Sequence, residues 1–444
     1  MSERLLVIGG DAAGMSAASR AKRRKPSLDV VAFERGEHTS FAACGIPYVL
    51  GGDVDSIEDL VARTPAEHAE HGIDVKMATE ATEIDINGAR VKVRELETGA
   101  ERWEGYDQLM IGTGATPVRP PIDGIDAPHV YGVQHLDAVP PLLAEAERAE
   151  GCRVALIGAG YIGVELAEAF ANRGAKVTML EAGDQAILRL PADLAEDLRA
   201  GIEGIGVELR TGAGVNTIET DRVTTDDGEY PADLVVLGLG VAPNTDLAVR
   251  AGLETGPKDG IVTDDRQQTS AEAIFAAGDC CVARHRISGE LAYVPLGTTA
   301  NRQGRVAGTN LGGGDARFPG ILGTAVLKLC GVEIGMTGLN LDEAIDAGFD
   351  AVATTITSST TAGYYPTAEQ VRVNMVAERG TGRLLGCFIV GGAGSAKRID
   401  TAATALWNEM TAEQLADVDL SYAPPFSPVF DPITIAARVL GEKL

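Results

Sequence analysis

Short apolar runs alternate along this chain with stretches of small and charged residues, and one such alternation occurs twice. Leu5-Leu-Val-Ile8 predicts a strand, the glycine-rich Gly9 to Gly14 a turn, Met15 to Arg24 a small-residue helix, and Val30-Val-Ala-Phe-Glu34 a second strand. The order returns at Arg153-Val-Ala-Leu-Ile157, with a glycine turn to Gly163, a helix rich in Ala and Glu, and the strand Lys176-Val-Thr-Met-Leu-Glu181. Thr269 to Asp279 reads as a turn, an apolar strand and a Gly-Asp end. No apolar run approaches the ~20 residues that span a bilayer.

Each repeat carries the chemistry of a dinucleotide site. Glycines let the backbone approach a pyrophosphate at the helix N-terminus, and an acid about 20 residues further on holds a ribose hydroxyl pair. In the first copy these positions are Gly9, Gly10, Asp11, Ala12, Ala13, Gly14 and Glu34, with Arg35 following; Asp11 stands where the ideal pattern has glycine. The second copy is complete: Gly158, Gly160, Tyr161, Ile162, Gly163 and Glu181. Glu181 repels a 2′-phosphate and no Arg or Lys follows it at once, so NADH is favoured over NADPH. Two dinucleotides in one chain imply hydride transfer between them, usually from an exchanging nicotinamide to a tightly held flavin.

The 444 residues exceed what one core usually supports, which predicts two or three domains. A net charge of 38 − 64 = −26 argues against nucleic acid and anionic membranes as partners. The start of the chain has no export pattern, which predicts a cytoplasmic protein, and six scattered cysteines in such a chain predict reduced thiols. No Cys or His cluster predicts a metal.

Cys44, in Ser40-Phe-Ala-Ala-Cys-Gly-Ile-Pro-Tyr48, has Val49 where a Cys-x4-Cys disulfide would close, so it acts alone if it acts at all. With Gly278-Asp279 and the strand-turn segments Leu109 to Ala115 and Leu234 to Asn244, the chain resembles, end to end, the pyridine nucleotide-disulfide oxidoreductases. The resemblance implies an α/β fold with two Rossmann-like dinucleotide-binding domains and a C-terminal α+β dimerisation domain. It divides the chain into an FAD-binding domain at 1–115 and 243–320, an NADH-binding domain at 116–242, and a dimerisation domain at 321–444. It assigns Asp279, Gly278, Thr113, Gly114, Ala115 and Ser40 to the flavin, and Tyr161 and Glu165 to gating the nicotinamide.

Within the family the cysteine segment resembles the single-cysteine branch of coenzyme A-disulfide reductases and NADH oxidases. Tyr422, in Tyr422-Ala-Pro-Pro-Phe-Ser427, and Tyr364 and Tyr365 resemble residues that reach a partner subunit's active site, implying a homodimer. The implied reaction passes hydride from NADH through FAD to Cys44, which reduces a small disulfide or persulfide. A helix opening after Cys44 is expected to lower its thiol pKa. The last histidine is His285, so a C-terminal His-Glu pair of glutathione-reductase type is missing, and Ala12 stands where family peroxidases place a histidine. Coenzyme A-disulfide reductases commonly have Asn before the cysteine and a basic residue after Thr-Pro; here Ala43, and then His68 and His71 after Thr64-Pro65, occupy those places, leaving Ser40, Arg20 and Arg23 as substrate contacts. An NADH oxidase and an electron-transfer reductase for a protein partner are the alternatives. Adjacent Cys280 and Cys281 fall beside the flavin tail in the family placement, and Cys152, Cys330 and Cys387 read as small core residues.

Overall fold

The apolar run at the start of the chain becomes the central strand, Arg4–Ile8, of a five-stranded parallel sheet ordered Ile274–Ala276, Gln108–Ile111, Arg4–Ile8, Asp29–Phe33, Ile73–Lys76. This computed structural model describes residues 3–133 and 135–444. Side chains alternate across the sheet. Leu5, Val7, Val30 and Ala32 pack with Ala13, Met15, Ala17 and Ala21 of helix Ala12–Arg24, while Leu6, Ile8, Val31 and Phe33 face Ile84, Val91 and Val93 of an antiparallel three-stranded layer. Both faces are covered, which is why Leu5 to Ile8 carry no polar residue and Arg4 stands at the strand's open end.

The second repeat builds the same object. Its parallel sheet runs Glu208–Thr211, Lys176–Glu181, Arg153–Ile157, Leu234–Leu237, Val130–Gly132, and it too carries a three-stranded antiparallel layer, at Val215–Ile218, Arg222–Thr225 and Gly228–Pro231. The outer strand differs in origin: Ile274–Ala276 follows the second unit in the chain, whereas Val130–Gly132 precedes it. Two short antiparallel strands, Ala115–Pro117 and Val241–Pro243, carry the chain across and back. Asn244 fastens this crossing: its side chain donates to the Thr113 carbonyl at 2.9 Å and accepts from the Thr116 hydroxyl at 2.6 Å.

The last third forms an antiparallel sheet, Ala325–Leu329, Val332–Gly338, Leu384–Gly391, Gln370–Glu378, Ala351–Ser359, packed with helices Ile399–Trp407 and Pro432–Gly441. The largest apolar cluster belongs to no single sheet. It joins Ile46, Val49 and Leu50, just after Cys44, to Val164 and Phe170 of helix Tyr161–Asn172 and to Leu327, Ile334, Met336 and Phe388 of the last sheet. Burying these groups stabilises the arrangement by roughly 1.5–3 kcal/mol for each large side chain, and it fixes the cysteine segment between the repeats. Among the described residues no helix is long and apolar enough to cross a membrane.

Candidate active site

The two glycine turns are superimposable in their chemistry. Gly9 and Gly158 have φ of 103° and 101°, and a Cβ on Gly14 or Gly163 would fall 2.0 or 2.1 Å from the carbonyl oxygen of Gly9 or Gly158. Side chains there are therefore excluded, and the helix opens against bare backbone with no acid in its first turn. Glu34 accepts from the Gly10 and Gly36 amides at 2.7 and 2.8 Å; Glu181 accepts from the Ala159 and Gly183 amides at 2.7 Å each. Each acid is thus aimed back over its own glycine turn, at the place a ribose occupies. Arg35 beside Glu34 is exposed.

The first site fits FAD. Asp279 lies three residues past the buried strand Ile274–Ala276, and burial alone pushes its carboxyl up to about 6. The Tyr293 hydroxyl is buried without a partner, and burial together with the Asp279 charge raises its pKa. An acceptor and a hydroxyl left in this state suit the hydroxyl-rich ribityl chain of a flavin. The Thr113 hydroxyl donates to the Asn244 carbonyl at 2.6 Å, so its side chain secures the crossing beside the turn of Gly114 and Ala115.

Asp11, the departure from the ideal glycine pattern, accepts from the Phe41 amide at 3.1 Å and so ties the glycine turn to the cysteine segment. Its carboxyl is pushed up to about 6, chiefly by burial. The sequence places Asp11 in the dinucleotide turn as a departure from the glycine pattern, but nothing local announces a bond spanning 30 residues. It also makes Asp11 the residue before a helix that starts at Ala12, three residues ahead of the expected start.

Cys44 is exposed and lies in a single 3-10 turn, Ala43–Gly45, ahead of a helix of only six residues, Ile46–Gly51. The expected lowering of its thiol pKa is overturned: partial desolvation, then the charges of Glu165, Asp279 and Asp11, push it up. One short helix turn is a weak dipole against three carboxylates. The fold brings these three acids together from distant places, the second fingerprint helix, the Gly-Asp end and the first glycine turn. Glu165 is pushed up to about 7, mainly by burial, and accepts from the Tyr48 hydroxyl at 3.4 Å. Tyr161 donates to the Met336 sulfur at 2.8 Å, which rests the expected gate against the C-terminal sheet.

The substrate contacts expected from sequence are redistributed. Arg20 turns away to donate to Thr309 at 3.0 Å, and His68 is buried, holds Ser40 at 2.9 Å, and has its pKa lowered to about 4, so it is neutral. Arg23 instead joins Ser19, Lys22, Arg63 and His71 around a cavity of about 340 Å³. The bridge between Phe41 and Val61, and the bond from the Ala42 amide to the Leu60 carbonyl, connect that wall directly to the cysteine segment. Lys22 stands in the basic run Arg20 to Lys25, which the sequence offers as an anion contact or a solvated helix end, but Arg63 was not legible as a site residue, because it joins Lys22 only when the loop after Leu60 folds over the first helix.

Tyr364 and Tyr422 meet, and the hydrogen bond between them raises the Tyr364 pKa. They are 77% and 46% exposed, and the segment of Tyr422 also exposes Phe426, Val429 and Phe430; Tyr365 is half-buried. Of the three cysteines expected in the core, only Cys387 is buried. Cys152 follows a surface turn, and Cys330, at φ 48°, forms the tight turn between two antiparallel strands.

Comparison with known proteins agrees with this geometry. Residues 3–304 match the family described as pyridine nucleotide-disulphide oxidoreductase, and residues 324–432 match its dimerisation domain. The chain is 41% identical to the NAD(P)H coenzyme A polysulfide/persulfide reductase of Pyrococcus horikoshii over 99% of both chains. A NAD-dependent persulfide reductase from A. fulgidus superimposes with a TM-score of 0.96 at 37% identity, covering 99% of this chain and 83% of that one. The water-forming NADH oxidase from Lactobacillus brevis, bound to NADH, gives 0.95 at 31%, covering 100% and 99%. Paired glycine turns, their back-pointing acids and end-to-end likeness lead to one conclusion: the chain belongs to the pyridine nucleotide-disulphide oxidoreductases, enzymes that use FAD and NAD(P)H.

Proposed function

We propose that this enzyme uses NADH to reduce a disulfide or persulfide carried on a small phosphorylated thiol of the coenzyme A type, with Cys44 as the reacting thiol. The observation that carries the reading is the cavity of Lys22, Arg23, Arg63 and His71 joined to the Cys44 segment. In a chain of net charge −26, a cationic pocket at this point selects a polyanionic substrate. The names of the Pyrococcus and A. fulgidus relatives support the same substrate class.

In this reading the Cys44 thiolate attacks one sulfur of the substrate, forms a mixed disulfide, and releases the other half as a thiolate or, from a persulfide, as hydrosulfide. Bound NADH and FAD supply the two electrons that then cleave the mixed disulfide, so that NADH, a proton and RSSR give NAD⁺ and two RSH. Ser40, held by neutral His68, and the cavity cations orient the substrate. Protonation of Glu165, which titrates near 7, removes a repelling charge from the thiolate. Tyr364 and Tyr422, in the unit matched by the dimerisation domain, complete the pocket of a second copy and donate to the departing thiolate.

Anaerobic NADH oxidation with coenzyme A disulfide, with cystamine and with coenzyme A persulfide tests this. Rapid turnover with a coenzyme A substrate, lost in Cys44→Ser while NADH still bleaches the flavin, is expected. Turnover only in air establishes the second reading, an NADH oxidase, which the likeness to the Lactobacillus enzyme and the raised Cys44 pKa favour.

A further inference from the structure

Cys280 and Cys281 follow Asp279 directly and have no part in the reaction above. Their side chains are 0% and 5% exposed, and their sulfurs lie 3.8 Å apart. Cys280 also faces the Ala277 carbonyl at 3.4 Å and the Ile111 carbonyl at 3.8 Å. It therefore touches the ends of both strands, Gln108–Ile111 and Ile274–Ala276, that deliver the flavin cradle. Donors from Cys281 and Thr113 favour its thiolate, whereas burial raises Cys281.

We propose that Cys280 and Cys281 form an oxidation site, in which a hydroperoxide converts the buried dithiol to a vicinal disulfide and thereby loosens FAD. The Cys280 thiolate attacks the peroxide, taking one oxygen as a sulfenic acid and releasing an alcohol or water; the Cys281 thiol then displaces water to close the S–S bond. Two thiols and one hydroperoxide thus give one disulfide, one alcohol and one water.

The coupling to FAD follows from the backbone. The sulfurs must close from 3.8 Å to about 2 Å, and joining adjacent residues makes a small ring that dictates the torsions of their shared peptide. That peptide is already committed: the Cys281 amide donates to Gly278 at 2.8 Å, and the Cys280 carbonyl accepts from Ile261 at 2.8 Å. Reorganising this turn moves Asp279, the buried acid of the flavin site.

The test uses the FAD-loaded Cys44→Ser enzyme, so that exposed Cys44 consumes no oxidant, titrated with hydrogen peroxide. The peptide holding residues 280 and 281 should lose two hydrogens in mass, FAD should leave in parallel, and a dithiol should restore both. Cys281→Val, compared after confirming equal initial FAD content, should keep its flavin under the same treatment; Cys281→Ala serves if Val does not fold. A dithiol that stays reduced, a single oxidised cysteine without the disulfide, or a disulfide formed with FAD retained would each overturn the proposal.

Discussion

Glu181→Gln changes one charge at constant shape, and the structure sets its size. Each carboxylate oxygen accepts a backbone amide at 2.7 Å, so the side chain is held over the second glycine turn, and the amide variant keeps one acceptor there. A 2′-phosphate about 5 Å away, carrying roughly two charges in a half-exposed site of effective dielectric about 40–80, is repelled by about 1.5–3 kcal/mol. Removing that repulsion should raise kcat/KM for NADPH by roughly 10- to 100-fold. NADH should lose about 1 kcal/mol, roughly fivefold, as a charge-assisted ribose bond becomes a neutral one. The assay is kcat/KM for both nucleotides, anaerobically, at one fixed disulfide concentration and low salt. The parent's discrimination should shrink as salt screens the half-exposed carboxylate. Glu34→Gln is the internal control: it occupies the matching place in the first turn and should weaken FAD retention while leaving the NADH-to-NADPH ratio alone. A Glu181→Gln ratio unchanged within about twofold, in protein that keeps its flavin, would refute the assignment of Glu181 to the ribose.

Three further outcomes are expected. Arg63→Ala should raise KM for coenzyme A disulfide about tenfold, the loss of one charge-assisted phosphate contact, and leave cystamine unaffected; equal effects on both substrates would take Arg63 out of phosphate binding. Glu165 has a folded pKa raised from 4.5 to about 7, so its contribution to stability is complete below about pH 4.5 and is lost as pH rises through about 7. Glu165→Gln should therefore gain on the parent by up to about 3 kcal/mol between those limits, read as a difference in denaturant midpoint at pH 5 and pH 8; parallel pH profiles would contradict the sign. Arg398 pairs with Asp431 at 3.1 Å and donates to the carbonyls of Thr360 and Phe426, pinning the two tyrosine-bearing segments. Arg398→Met leaves Asp431 unpaired, should cost about 3–5 kcal/mol, and should lower disulfide turnover more than NADH-to-ferricyanide activity.

The repeated strand-turn-helix-strand pattern was legible, but for a first helix that starts three residues early, because its determinants are local. Gly9 and Gly158 must accept positive φ, Gly14 and Gly163 must clear a carbonyl, Glu34 directly follows its strand and Glu181 ends the matching one. The α+β character of the C-terminal domain came with the family resemblance, whereas the strand orders and its antiparallel sheet came only from the structure. The behaviour of Cys44 did not, because three acids from distant segments act on it together. His68 and His71 show the limit clearly: two residues of one type, three positions apart, and only burial separates a neutral partner of Ser40 from a cavity wall.

The sequence by itself determined that this chain holds two dinucleotides and carries one cysteine segment between their motifs, since spacing and backbone permissiveness are properties of neighbouring residues. Only the tertiary structure decided which side chains surround that cysteine: Asp11 tied to Phe41, Arg20 turned away, Lys22 and Arg63 brought to one cavity, and Cys280 set against the flavin cradle. The reason is physical. Charge, burial and hydrogen bonding act through space, and residues 30 to 240 positions apart become neighbours only when the apolar faces of the sheets have been buried.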